Sequence, residues 1–206
     1  MNNDIPFARN APLHYMITVF VLCLGLSGLS PTNRQQWLAE SIAIAALALC
    51  IAFGYRWYRF SNLSYLLMLL FIVLHLYAAH FTYEGTPFDH WLKHAFHTKR
   101  SYYDRVVHFF FGLSFAFPFR ELLKNKGKIA GSWTFTLALL AILGCSAIFE
   151  IIEMLAASVA GKGGEAKFIG AQGDVFDSQK DMGLAGLGGL LTVGMLAWVD
   201  WRKGKI

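Results

Sequence analysis

The sequence predicts an all-α fold, a bundle of about six transmembrane helices that forms a single integral membrane domain over residues 1–206. Three observations lead there. The chain is 56% hydrophobic and 16% aromatic but only 15% charged, whereas a soluble domain carries roughly a quarter charged residues and so has the polar surface to cover a core in water. Its apolar residues are gathered in runs of about 18, the length that crosses a hydrocarbon core. The last of these runs carries small residues at steps of three or four, which lets membrane helices approach closely.

The runs fall at 13–30, 38–54, 63–83, 104–120, 132–158 and 181–199, the second and fourth being short. The first has only Arg9 ahead of it and no A-x-A cleavage pattern behind it, so it reads as a span and not as a signal peptide. Cys23, Cys50 and Cys145 all lie inside runs without C-x-x-C spacing, and read as small apolar residues. The net charge of +5 suits a protein facing anionic lipid. No basic stripe sits on a soluble module, so membrane lipids are the expected partners and nucleic acid is not. A protein partner is left open.

Lys and Arg set the expected orientation. With six spans, ten of them fall on the side of both termini and eight on the other. The short, strongly basic loop RELLKNKGK after the fourth run decides the matter, because short loops carry the positive-inside signal. Both termini are therefore expected in the cytoplasm. Of the thirteen acids, only Asp4, Glu121 and Asp200 then fall inside. Acids hardly influence topology, so their gathering on the outer side points to a functional outer face.

The polar residues at that face form a pattern. If the sixth helix starts at Asp174, then Asp174, Asp177, Asp181, Ala185, Gly188 and Thr192 make one stripe, and Leu187 and Leu190 point elsewhere. In the fifth run, Ser146, Glu150, Glu153 and Ala157 share a face. Two acids at i,i+3 repel unless protonated, paired or bound to a cation. The fourth run opens with Asp104 and His108 at i,i+4. The third ends with His75 and His80, which are about 140° apart around a helix, so His80 and Glu84 are the better-spaced pair. Ionisable groups within a membrane segment are candidates for function by default. Asp104, His108, Glu150, Glu153, Asp177 and Asp181 are the candidate catalytic set for acid–base work. Together with His75, His80 and Asp174 they also have the mixed carboxylate and imidazole chemistry of a divalent-metal site. Against both stands a structural reading: Asp near a helix start favours the helix without any ligand.

Other signals are weaker. His90, His94 and His97 fall at i,i+4,i+7 and could line a metal face, but with Trp91, Lys93, Phe96 and Lys99 they suit an interfacial amphipathic helix better. There is no G-x-S-x-G, and GKGGEAKFIGAQGD lacks the G-K-[ST] ending of a P-loop. That segment reads as an outer loop able to close over a site.

The ordered strings HLYAAHFTYEGTPF, YDRVVHF, EIIEM and FIGAQGDVFDSQKDM, spread over roughly residues 70–190, resemble the YjdF-like family of bacterial inner membrane proteins. The resemblance implies a multi-pass protein of the inner membrane and no particular chemistry. A weaker likeness is to VanZ-like membrane proteins, whose pattern looks like Asp104 with His108-Phe109, Glu150 with Glu153, and Asp177 with Asp181. Here Glu153 stands where that pattern has Gln and Asp181 where it has Asn. Three functions follow in order: a metal-dependent or acid–base enzyme acting on a lipid or envelope precursor from the outer side; a non-catalytic structural or partner-binding protein; and a cation- or proton-coupled transporter. The almost wholly apolar inner halves of the third, fifth and sixth runs speak against the last.

Overall fold

The computed structural model describes residues 5–160 and 174–204, and among these the regular elements are all helical. α1 spans Ala11–Ser27, α2 Arg34–Gly54, α3 Asn62–Phe81, α4 Pro87–Ala95, α5 Tyr103–Asn125, α6 Trp133–Ala160 and α7 Asp177–Arg202. α2, α3, α5, α6 and α7 are each long and apolar enough to cross a membrane, and α1, with 17 residues, is a shorter apolar helix. The runs expected to be short are not: α2 has 21 residues and α5 has 23. Hydropathy underestimates them because both begin or end in polar residues that the helix still accommodates. The GKGGEAKFIGAQGD segment lies outside the described residues up to Gly173.

The chain divides into two compact units, Met1–Tyr103 and Asp104–Ile206. In the first, α3 is central: half of its most apolar stretch is buried, against 11% for α2. Ile44, Ile72 and Leu76 form the core, with Phe20, Cys23, Leu24, Leu47 and Phe71 packed around them. Asn10 caps α1 by accepting from the Leu13 N–H and donates through Nδ2 to Asn62 at the start of α3. At the other end of α1, His80 Nδ1 lies 2.9 Å from the Ser27 carbonyl and Thr32 N–H donates to the His80 carbonyl. These bonds fix α1 and α3 side by side.

α4 is a short amphipathic helix capped by Thr86, whose hydroxyl accepts from the Asp89 N–H. Asp89 is fully buried. One of its oxygens accepts from the N–H groups of Tyr102 and Tyr103, where α5 begins, and the other pairs with Lys93. A carboxylate at a helix start satisfies donors that have no partner within the helix.

In the second unit, α5 and α7 cross with their backbones almost touching. A Cβ added at Gly112 would lie 1.9 Å from the Ala185 carbonyl oxygen, and one at Gly188 would lie 2.1 Å from that of Phe109. Next to this crossing the Thr192 hydroxyl donates to the Leu113 carbonyl at 2.8 Å. Leu139 and Ile142 of α6 pack on Gly189, and Leu143 on Gly186. Leu187 and Leu190 are exposed, as the stripe in the sequence predicts.

Candidate polar site

The glycine crossing brings α7 close to α5, and so determines which polar groups meet at one end of this unit. α7 starts at Asp177 and not at Asp174. Asp177, Asp181, Ala185, Gly188 and Thr192 are all buried, so the expected stripe holds from Asp177 onward. Asp174 sits in the preceding turn, where one oxygen accepts from the Phe176 N–H and the other from Lys180 at 2.6 Å. Arg105 of α5 bridges both aspartates, its Nη2 lying 3.0 Å from Asp174 and 3.2 Å from Asp177.

One helical turn further along α5, His108 is the centre of the site. Its Nε2 is 3.2 Å from Glu150 and 3.7 Å from Asp104. Its Nδ1 is 3.4 Å from the Ser146 hydroxyl, and the edge of its ring meets Phe149. Ser146 and Glu150 are a turn apart on α6, so one face of that helix holds both ring nitrogens. When Ser146 donates to Nδ1, the proton of the neutral ring sits on Nε2 and faces the carboxylates. Ser178 of α7 faces Glu150, which brings the third helix to the site. Glu153 is half-buried on the face that Glu150 and the buried Ala157 share.

Asp181 is the most buried acid of the site, at 2% exposure, and one of its oxygens has no hydrogen-bond partner among the described residues. Asp104, His108, Asp177 and Glu150 are all within electrostatic reach of it. The side chains grade from a partly open mouth at Asp104, 26% exposed, to His108 and Glu150 at 6% and 8%. Every residue of the candidate catalytic set therefore lies on the three helices of one unit, and Ser146, Arg105 and Ser178 join it. Ser146 is on the α6 face that the sequence already shows with Glu150, whereas Ser178, one helical turn before Asp181, is a neighbour that charged residues alone do not reveal.

His75 and His80 belong to the other unit and go separate ways. His80 is bonded to the Ser27 carbonyl, an acceptor only, so its Nδ1 carries a proton. His75, buried on α3, has Tyr83 Oη at 2.8 Å from Nδ1 and Glu40 at 3.1 Å from Nε2. Glu40 and Tyr83 were not among the sequence candidates. Glu40 could have been found as a lone acid at the start of an apolar run. The His90, His94, His97 face does not form: α4 ends at Ala95, His97 turns into a left-handed conformation at φ 50°, and all three rings are exposed. Among the described residues no three His, Cys, Asp or Glu side chains are arranged to hold a metal ion.

Comparison with known proteins agrees with a membrane reading. Residues 12–202 match the model of a family described as "Predicted membrane protein (DUF2238)". The chain is 32% identical over 183 residues to the inner membrane protein YjdF of Escherichia coli (strain K12), which covers 88% of this chain and 87% of that protein. No solved structure matches. The chain belongs to this family of multi-pass membrane proteins, the YjdF-like family.

Proposed function

We propose that in this YjdF-like protein the polar end of the α5–α6–α7 unit is an acid–base site acting on a lipid or cell-envelope precursor at the membrane surface. His108, held between Ser146 and the carboxylates of Glu150 and Asp104, is the group that takes or gives the proton. Asp177 and Asp174 hold Arg105 at the mouth, where it faces an anionic headgroup. The observation that carries this reading is Asp181. A carboxylate oxygen buried without a donor costs stability, and a helix that needed only packing at this position would carry a small apolar residue. Acids at the mouth of the unit then serve to receive a polar ligand and to hold the protons that buried carboxylates need.

The competing reading is that these groups only bind helices together, and Arg105 on two aspartates from the start of α7 favours it locally. The two readings separate at Asp181→Asn. In membranes from cells that make the wild type, this variant or no protein, mass spectrometry of lipids and envelope precursors should show a species altered by the wild type alone. The purified variant should be as stable as the wild type or more so, since a neutral amide replaces a buried carboxyl group that has an unpartnered oxygen among the described residues. Identical profiles in all three membranes, with a less stable variant, would leave helix binding as the role.

A further inference from the structure

At the opposite end of the same unit, the last turns of α5 and α7 and the start of α6 line a half-open pocket of about 380 Å³, within the roughly 300–1,000 Å³ of small-ligand sites. Its wall is basic. Arg120 and Lys124 come from α5, Lys128 from the connection, Gly131 and Thr134 from the start of α6, and Asp200 from α7. Three cations face one carboxylate. Arg120 is pinned: it pairs with Asp200 and its guanidinium lies 4.1 Å over the Phe135 ring. Yet its Nε is buried with no hydrogen-bond partner among the described residues. A guanidinium N–H in that position calls for an acceptor oxygen.

Lys124 and Lys128 are exposed at the rim and form no ion pair among the described residues. Lys128 takes a left-handed φ of 55°, a conformation unfavourable for a residue with a side chain. Gly131 and Thr134 stand at the N-terminal end of α6, where the helix dipole favours an anion although the Thr134, Phe135 and Thr136 N–H groups already donate to the Gly131 and Ser132 carbonyls. Trp133 and Trp201, both exposed, stand beside the cavity in the chain, and such indoles settle at headgroup depth. The exposed Leu140 lies two turns below Trp133 on α6.

We propose that this cavity binds the phosphate of an anionic glycerophospholipid, with Arg120, Lys124 and Lys128 around the phosphate oxygens and the acyl chains lying along the apolar face of α6. Basic residues at a helix end also fix topology, but that task needs neither a pocket nor an arginine pinned in its wall. The site is independent of the polar cluster at the other end.

The test is native mass spectrometry of the full chain in detergent, titrated with phosphatidylglycerol. Arg120→Gln would strand Asp200, so the informative variant is the exposed pair Lys124→Gln/Lys128→Gln. Its control is Lys126→Gln/Lys203→Gln, which removes the same charge outside the cavity wall. The cavity pair should bind the lipid about 30-fold more weakly, the combined loss of two direct contacts to the phosphate, with an unchanged melting temperature; the control pair should bind like the wild type. Equal weakening in both pairs would reduce the effect to diffuse surface charge and overturn the proposal. Undiminished binding in the cavity pair would overturn it too. Displacement of the lipid by millimolar inorganic phosphate would make the site one for free phosphate and refute the lipid assignment.

Discussion

Replacing Gly112 by alanine tests the arrangement of the second unit most directly. The new Cβ would sit 1.9 Å from the Ala185 carbonyl oxygen, about 1 Å inside the 3.0 Å that real contacts keep. That neighbour is backbone, so no rotamer change relieves the clash, and α5 and α7 must separate by about that distance. The Thr192 bond to Leu113, now 2.8 Å, would stretch beyond hydrogen-bond range. Overpacking costs about 1–3 kcal/mol and the lost interhelical bond about 0.6 kcal/mol, partly offset by up to about 1 kcal/mol of helix propensity. Gly194→Ala is the matched control. It lies on α7 with nothing within 4 Å of its Cβ, so it keeps only the propensity gain. The two alanine variants should differ by about 2 kcal/mol or more, or roughly 4–8 °C in a chain of this size. Thermal unfolding of the detergent-solubilised protein reads this out. If Gly112→Ala melts at or above Gly194→Ala, the close crossing is wrong, and with it the placement of the aspartate stripe against His108.

Four further outcomes are expected. Asp89→Ala leaves the Tyr102 and Tyr103 N–H groups without their acceptor and Lys93 with only the Glu84 carbonyl, and should cost about 3 kcal/mol by the same melting assay. His80→Ala removes one bond to the Ser27 carbonyl and should cost only about 1 kcal/mol. The triple variant His90→Ala/His94→Ala/His97→Ala should stay within about 0.5 kcal/mol of the wild type and show the same metal content by elemental analysis, because all three rings are exposed and α4 ends before the third. In Glu150→Gln the NMR signals of the His108 ring should shift, while those of His75, in the other unit, should not.

The helices were legible because hydropathy and small-residue spacing report on the same constraint, the need to satisfy the backbone in lipid and to pack without a hydrophobic drive. The stripe from Asp177 to Thr192 followed from helical periodicity alone. Periodicity failed where a helix stopped. His97 completes a three-histidine face only if α4 continues past Ala95, and Asp174 joins the stripe only if α7 starts early; neither does. Partners across helices were also hidden. Nothing local marks Glu40 as the neighbour of His75, or Asp89 as the cap for a helix that starts 14 residues later.

Partners therefore distinguish the polar residues better than position does. Asp89, His80, Asn10 and Thr192 each have bonds that account for their presence: a helix start, a fixed neighbour, a cap, a crossing. Replacing any of them should lower stability and do nothing else. Asp181 is different in kind. It is as buried as the structural residues, yet one oxygen is without a donor, and it shares its surroundings with two other buried acids, Glu150 and Asp177. Packing would favour its removal, and the glycines and alanine further along the same face of α7 show that this helix takes small residues wherever packing decides. On the proposed reading the carboxylate at 181 serves a ligand or a proton that comes and goes, and His108, with a serine at one nitrogen and carboxylates at the other, is the group that exchanges it.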